Sequence, residues 1–476
     1  MRPRSSDPAG RSSETGRLRY GPSAQPSPRP YPERPTVLPL SAALRAGCVV
    51  TLTTAFALSP VARAQTAPQA PTVLHLDEAV NKALEVQPNI ISAQASVGAA
   101  QGVAEQTRSG LLPQLNASAV GERTYGLITR TGTGNGMAGS VAFNNYTFSL
   151  NGTQLIWDFQ TVDRLRSSNA TVASLQATEQ ATVLQTILKV RTAFFQAQAY
   201  LGLVQVQEET LANEIKHQTQ TEGFVKVGTQ PEISLAQART DVANARVALI
   251  QARNNYVIAK ATLNQAIGVV QGTDYEVASE ELPPLVGENQ SVEALTKTAL
   301  SERPEIASQQ QNVDAQDLAL RAARGNYFPA ISLFGAVAET GEALDHLGPA
   351  WDFGLQITWN FFDGLKTPGL VHQAQANLNN ANAQLTAEAL QVRFDVEQAD
   401  ATLLGSKEAV VASQDALVNA KEQLRLAEQR YATGVGSIIE LGDAQVAATS
   451  AGAQLVQARF TLATARAQLL AALGRR

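Results

Sequence analysis

Residues 351–361 read WDFGLQITWNF, and apolar and polar side chains alternate along the whole stretch. This period of two predicts a β-strand with one apolar and one polar face. About 9–11 residues is the length of a tilted strand that crosses a membrane. Aromatic residues stand at both ends of the apolar face, as in the girdles of outer-membrane β-barrels. They are Trp351, Phe353, Trp359 and Phe361.

Three further segments give weaker versions of this pattern. Residues 331–337 form one of them, 114–125 another, and the third runs from Tyr146 through Phe148 to Trp157. The Gly- and Thr-rich residues 126–141 are predicted as an exposed loop. A half-buried sheet of a soluble domain gives the same alternation in any single strand. Because helical sequence alone flanks all four segments, we favour a membrane-crossing sheet.

The chain contains this arrangement twice. The segment QPNI at 87–90 corresponds to RPEI at 303–306, and LPQL at 112–115 corresponds to FPAI at 328–331, with the same spacing in both pairs. A repeat of this length is a duplicated domain. We therefore expect a first repeat over 74–270, a linker over 271–291 and a second repeat over 292–474. Each is predicted to run helix, strand, strand, long helix, helix.

Four helical segments frame the predicted strands. First helices are expected at 77–110 and 292–326, and long helices at 161–221 and 367–430. The long segments would each extend about 90–100 Å, far more than a bilayer, so they must project through water. Their few charges and heptad-like apolar spacing, through Leu417 and Leu424, indicate packing against other helices.

Each long helix is expected to end in a glycine turn before the last helix begins. The turns contain Gly228 and Gly434, and Thr229–Glu232 and Ser437–Glu440 fit the S/T-x-x-E capping box. Glu440 and Asp443 lie three residues apart, so they are predicted to share a helix face. Capping and the helix dipole alone would explain both carboxylates. In a symmetric oligomer they would instead form charged rings that select cations.

The first 64 residues are predicted to be a leader and signal peptide. A short apolar stretch at 46–58 precedes the A-x-A site Ala62-Arg63-Ala64, which places cleavage after Ala64. The only cysteine, Cys48, falls within this segment. The mature protein would then have no thiol, as suits an oxidising compartment.

Composition excludes several classes of function. The net charge of −5 gives no basic surface for nucleic acid. The four histidines share no metal-ligand spacing, and no phosphate-binding loop, nucleophile elbow or zinc-protease motif occurs. We therefore expect no catalytic activity, no metal site and no cofactor.

Four strands cannot form a closed barrel within one chain, because small membrane barrels have about eight. An open sheet edge is forbidden in lipid, so the chain must oligomerise. Two copies would leave the pore too narrow, whereas three would give about twelve strands and a wet lumen. The predicted fold is mainly α-helical with a transmembrane β-barrel that a helical barrel continues into the periplasm.

The signal peptide, the internal repeat, Pro113 and Pro329 before the strands, and the closing A-x-x-x-L-x-x-x-x-G motif resemble the TolC-type outer membrane efflux family. The resemblance covers about residues 74–474. It implies a homotrimer in the outer membrane of a Gram-negative bacterium, with a 12-stranded barrel and no catalysis. It also implies that a periplasmic adaptor and an inner-membrane transporter dock to the channel, which serves as the passive exit duct of efflux or type I secretion.

The resemblance assigns roles at the turns. Tyr431, Glu440 and Asp443 match the family's periplasmic aperture, with Glu at the first carboxylate position instead of Asp. The basic residue that latches the family's closed aperture falls on Gly436, and its acidic partner falls on Ser234, so this latch is absent. The family's adaptor-docking turns match two segments. They are Val227, Gly228 and Thr229, and, more loosely, Thr433, Gly434 and Val435.

Two alternatives from other classes remain open. A periplasmic adaptor would have a single helical hairpin between split β-domains, and two repeats with aromatic strands argue against it. A structural coiled-coil envelope protein would show no pore conductance. The sequence does not identify the cargo or the pump class.

Overall fold

The structure is a computed structural model that describes residues 72–129, 138–270, 272 and 274–476. All of these residues belong to one structural unit, Pro68–Arg476. The predicted leader and signal peptide lie outside the described residues, as do residues 130–137 of the predicted loop.

Elements of the first half follow one another along the chain. They are β1 (Thr72–Leu74), α1 (Leu76–Val86), α2 (Pro88–Ser109), β2 (Gln114–Thr129), β3 (Ala138–Trp157), α3 (Phe159–Lys226) and α4 (Glu232–Ile267). The second half repeats this order. Its elements are β4 (Tyr275–Val277), α5 (Val292–Glu302), α6 (Pro304–Gly325), β5 (Ala330–Ala343), β6 (His346–Thr358), α7 (Lys366–Ala432) and α8 (Ile438–Ala472). Corresponding helices have nearly equal lengths, with 68 residues in α3 and 67 in α7.

The predicted first helix of each half is wrong in one respect, because each is two helices. The chain is extended at Gln87, with φ −68° and ψ 120°, and at Arg303, with φ −70° and ψ 126°. Pro88 and Pro304 then occupy the first turn of α2 and α6. A proline ring clashes with a helical conformation of the preceding residue, which ends α1 and α5 there. Proline itself is tolerated where a helix begins.

The predicted strand ends also need correction. Strand β2 continues to Thr129 and β3 begins at Ala138, so both ends of the predicted loop 126–141 are strand. Strand β6 ends at Thr358, which leaves Trp359 and Phe361 beyond it. The chain there turns through Gly364 and Leu365, which both have positive φ, before α7 begins. Such a conformation cannot continue a strand.

The four long strands form one antiparallel sheet in the order β2-β3-β5-β6. On one face, Leu150 of β3, Val337 of β5 and Trp351 of β6 are aligned across three strands, and all are more than half exposed. The other face is polar, and Ser118 and Ser149 are hydrogen-bonded across it at 2.8 Å. The sheet therefore has one apolar and one polar face, and β2 and β6 are its edges.

A β-bulge in β3 explains the position of Trp157. Phe148 and Trp157 have opposite parity, so a regular strand would place them on opposite faces. The register shifts between Leu155 and Trp157, and Trp157 pairs with Ile331, which in turn pairs with Ile357 on the apolar face. One extra residue thus returns Trp157 to that face.

The long helices pack as two antiparallel hairpins, α3 with α4 and α7 with α8, and α3 also packs on α8. In the first half, Val190 and Phe194 of α3 pack with Leu263 of α4 in a core, and each of these residues is 0% exposed. In the second, Val392 and Leu403 of α7 pack with Leu469 of α8. Within the predicted linker, β4 pairs in parallel with β1.

No helix among the residues that the structure describes is long and apolar enough to cross a membrane.

Candidate functional site: the tip of the helical hairpins

The two helical hairpins end in turns at 227–231 and 433–437, and we call this end of the molecule the tip. At the first turn, Gly228 has φ +75°, and the amide of Thr229 donates to the carbonyl of Phe224 at 3.0 Å. At the second, Gly434 also has φ +75°, and the amide of Val435 donates to the carbonyl of Arg430 at 3.0 Å. The predicted left-handed glycine caps are thus confirmed at both turns.

A valine is exposed on each turn, but at different positions. Val227 precedes its glycine and is 72% exposed, whereas Val435 follows its glycine and is 75% exposed. Thr433, which corresponds to Val227, has its hydroxyl bonded to the carbonyls of Gln429 and Arg430. The second turn therefore has the same backbone as the first but a different outer surface.

The two predicted capping boxes have different outcomes. Ser437 caps α8, because its hydroxyl accepts from the amide of Glu440 at 3.1 Å. The box at Thr229 is wrong, since Pro231 is the N-cap of α4 and makes no side-chain cap bond. The Thr229 hydroxyl instead donates to the carbonyl of Phe224 at 3.0 Å.

Gly436 allows a close approach between the turn and the end of α7. Its amide donates to the carbonyl of Arg430 at 2.9 Å, and a Cβ on it would lie 2.9 Å from the backbone nitrogen of Tyr431. A side chain there would force the turn to move, which gives a steric reason for glycine at this position. Arg430 provides a cation nearby, with its Nε 3.3 Å from a carboxylate oxygen of Glu440.

Tyr431 is buried, with 0% exposure. Its ring packs against Phe224 of α3 in an edge-to-face arrangement, with the ring centroids 5.8 Å apart. Its hydroxyl lies 2.7 Å from the hydroxyl of Thr221, which is also buried. Tyr431 therefore joins α7 to α3.

One turn before Thr221, His217 is also buried in the tip. Burial is the main reason that its pKa is lowered from the usual 6.5, and the nearby Glu428 carboxylate only partly opposes this. The His217 Nε2 lies 3.3 Å from a Glu428 oxygen, but neither ring nitrogen has a hydrogen-bond partner among the described residues. Burial outweighs the attraction of the carboxylate, because a contact without hydrogen-bond geometry stabilises the charged imidazole poorly.

The predicted pair Glu440 and Asp443 have different surroundings. Glu440 is half-buried beside Arg430, whereas Asp443 is exposed and has no ion-pair partner in the described part of the chain. Asp443 lines a groove with a volume of about 960 Å³, and the walls of this groove come from α3, α4 and α8. Two more carboxylates line this groove, from Glu214 of α3 and Asp241 of α4. Burial and the neighbouring Asp241 raise the pKa of Glu214.

The predicted girdle aromatics are not at the tip. They lie in strands β3 and β6 and directly after β6. Trp351 and Phe353 are 79% and 71% exposed on the apolar face, and Phe148 is 45% exposed. Tyr146 is half-buried in β3. The other three, Trp157, Trp359 and Phe361, are at the end of the sheet nearest the long helices, and all are at least half exposed.

Four residues of the tip are not predicted from the sequence: Glu214, Thr221, Arg430 and Gln445. Thr221 and Tyr431 occupy positions in different repeats, so their contact has no local signature. Arg430 and Glu440 lie on either side of one turn, and this spacing in the sequence indicates that they can form an ion pair. Among the described residues, no group of three or more His, Cys, Asp or Glu could hold a metal ion.

Comparisons with known proteins agree with this architecture. The family model described as "Outer membrane efflux protein" matches residues 79–269 and 295–475. The chain is 28% identical over 315 residues to "Probable efflux pump outer membrane protein TtgC" of Pseudomonas putida, a match that covers 64% of this chain and 63% of that protein. It is 27% identical over 415 residues to "Outer membrane protein TolC" of Escherichia coli, which covers 81% and 79% of the two chains.

A solved structure has the same fold. The Campylobacter jejuni CmeC outer membrane channel matches with a TM-score of 0.74 and 19% identity, over 84% of this chain and 85% of that chain. The family model accounts for most of the chain, and the fold agrees with that of a solved channel. The chain therefore belongs to the outer membrane efflux protein family, and its location is the Gram-negative outer membrane.

Proposed function

We propose that three copies of this chain form the passive exit duct of a tripartite efflux pump or a type I secretion system. The sheets would close into a 12-stranded barrel in the outer membrane. The helical hairpins would form a tube that reaches across the periplasm to an adaptor and an inner-membrane transporter.

The sheet is the observation that carries this proposal. It has four strands and two edges, and the backbone groups of an edge cannot remain unpaired in lipid. Pairing β6 of one copy with β2 of the next would satisfy both edges. The apolar face would then meet lipid, and the polar face, with its Ser118–Ser149 hydrogen bond, would line a wet lumen.

The helical hairpins support the same ring of copies. Helix α7 exposes Leu404, Val411 and Val418, each at least 49% exposed and spaced by heptads. Helix α4 exposes Val247 and Ile250, at 66% and 68%. Such rows are typical of helix-packing seams. In the ring, α4 of one copy would pack against α7 of the next, which buries both rows.

The exposed turns are the surface for an adaptor. Val227 and Val435 present apolar side chains at the end of the molecule that would be farthest from the membrane. Apolar side chains on a glycine-fixed backbone suit contact with a partner, since little conformational entropy is lost on binding. In a trimer each of the two turns would be present once per chain, so an adaptor would meet two different kinds of contact around the ring.

Of the predicted aperture residues, Asp443 best fits a charged ring. It is exposed and unpaired within the described residues, whereas Arg430 partly neutralises Glu440. Three copies of Asp443 near a common axis would attract cations and repel anions. Tyr431 would hold the helices that carry this ring.

Native mass spectrometry of the detergent-purified mature protein tests the proposed assembly. We expect the mass of three chains, stable to moderate heating. A monomer or dimer from protein with intact helical circular dichroism would contradict the duct, because four or eight strands leave no wet lumen.

A further inference from the structure

We propose that Phe334 and Gly354 together set the width of the barrel lumen, and with it the size of the molecules that pass. This inference rests on the proposed exit duct, because the lumen exists only when three copies close the sheet. It deepens that proposal by naming two residues that select the cargo by size. Both lie in the sheet, far along the chain from the turns of the tip.

Phe334 lies on the polar face of the sheet. Ser149, which belongs to that face, pairs with Ala338 of β5, and Phe334 lies four residues before Ala338 on the same strand. Residues separated by an even number share a face of a strand. On this face Phe334 lies between Thr153 of β3 and Gly354 of β6, its two cross-strand partners. In the proposed barrel its aromatic ring therefore lines the lumen, and its neighbours on both sides are small.

The ring of Phe334 occupies the space above Gly354. A Cβ on Gly354 would be 2.8 Å from the Cζ of Phe334 and 2.9 Å from its Cε1. Non-bonded carbon atoms normally stay about 3.5–4.0 Å apart, so no side chain fits at residue 354 while the ring is there. Phe334 is accordingly only partly exposed. The ring therefore leans along the wall toward β6 and does not project straight into the lumen.

The backbone of Gly354 does not itself require glycine. Its φ is not positive, and it lies within the regular pairing of β5 and β6. Glycine inside a strand weakens the strand and often marks the close approach of another group. Here that group is the Phe334 ring. A larger residue at 354 would push the ring off the wall, and in a trimer three such rings would point toward a common axis and narrow the lumen.

Cysteine labelling from outside intact cells tests the width of the lumen. The only cysteine of the chain is Cys48, in the predicted leader, so one introduced cysteine supplies the reporter thiol. Gln356→Cys places it on the polar face between Phe334 and the helices, and Thr340→Cys places it on the same face toward the β5–β6 turn. The probes are maleimides with poly(ethylene glycol) chains of increasing length, and the long ones reach these thiols only through the lumen.

We expect Gly354→Ala to slow the labelling of Gln356→Cys by the longer probes severalfold and to leave the shortest probe unaffected. Adding Phe334→Ala should restore the original rate, because no ring remains to be displaced. Labelling of Thr340→Cys should be unchanged by Gly354→Ala. Gly348→Ala is the matched control for the Gln356→Cys reporter. It adds a methyl group on the same strand and face, where the nearest atom, the carbonyl oxygen of Thr340, is 3.8 Å away.

A second pair of single cysteines tests the position of residue 334 without a change at Gly354. Phe334→Cys should react with a short hydrophilic maleimide in intact outer membranes. Leu333→Cys should react only after denaturation, because Leu333 pairs with Leu355 on the apolar face. Protection of Phe334→Cys in intact membranes would overturn the proposal, because the ring would then not line the lumen.

Two results would overturn the control of lumen width and leave the exit duct standing. One is labelling of Gln356→Cys that Gly354→Ala does not slow. The other is slowed labelling that persists when Phe334→Ala is added. In both cases Thr340→Cys still reacts from outside. If no probe reaches either reporter in an assembled trimer, the exit duct itself is contradicted, and the control of lumen width is overturned with it.

Discussion

The hydroxyl of Tyr431 lies 2.7 Å from the hydroxyl of Thr221, and this contact joins the ends of the two long helices. The Thr221 hydroxyl also lies 2.9 Å from the carbonyl oxygen of His217, which can accept a hydrogen bond from it. A second acceptor, the Oε1 of Gln230, lies 3.4 Å from the Tyr431 hydroxyl. The contact is therefore a hydrogen bond between the two repeats, close to both turns.

Replacing Tyr431 by Phe should loosen the tip without disturbing the rest of the fold. The variant keeps the buried ring but removes the hydrogen bond, which should cost about 1 kcal/mol of local stability. Amide hydrogen exchange, measured by mass spectrometry over the last turns of α3 and α7, should then be about fivefold faster.

Tyr125→Phe is the matched control, because Tyr125 is 75% exposed on β2 and should leave exchange at the tip unchanged. Unaltered exchange in Tyr431→Phe would mean that the hydroxyl does not hold the helices together.

The buried His217 should make the protein less stable in mild acid. Burial lowers its pKa in the folded state below the usual 6.5, so the unfolded chain binds a proton that the folded chain rejects. The resulting loss of stability begins as the pH falls through about 6.5 and is complete below the lowered folded pKa. Thermal unfolding at a series of pH values from about 8 to 5 should show this fall.

His217→Gln is the comparison that isolates the imidazole, because other groups titrate alike in both proteins. We expect the variant to have a flatter dependence of the unfolding temperature on pH in this window. Parallel curves for the two proteins would contradict the assignment of this slope to His217.

The two faces of the sheet should respond differently to an added charge. Leu355 lies on the apolar face and Gln356, the next residue, on the polar face. In the proposed barrel, Leu355→Arg would place a guanidinium in lipid at a cost of about 2–4 kcal/mol near the midplane. Gln356→Arg would place it in a wet lumen at little cost.

The fraction of heat-stable trimer in the outer-membrane fraction measures this difference. We expect Leu355→Arg to reduce that fraction severalfold and Gln356→Arg to leave it near the wild-type level. Equal assembly of the two variants would contradict a lipid-facing apolar face.

Much of the fold could be predicted because its signals are long and local. Alternation over residues 351–357 and helical periodicity over more than 60 residues indicate the strands and long helices without tertiary information. The break before Pro88 also has a local signal in the proline itself, which the predicted helix 77–110 does not take into account. The bulge at Trp157 had only a parity mismatch as its signal.

The tip could be predicted less well, because its contacts join distant residues. The glycine turns and the Ser437 cap are local and were predicted correctly. The bond between Thr221 and Tyr431, and the unpartnered Gln445, depend on how α3, α7 and α8 pack. A residue pattern does not contain the angle between helices, so these features required the structure.

Single-channel recording of the purified trimer in a planar bilayer tests the exit duct most directly. We expect discrete, cation-selective openings. Asp443→Asn should reduce the selectivity for cations more than Glu440→Gln does, because Arg430 already pairs with Glu440. A correctly folded trimer that gives no openings would contradict the duct.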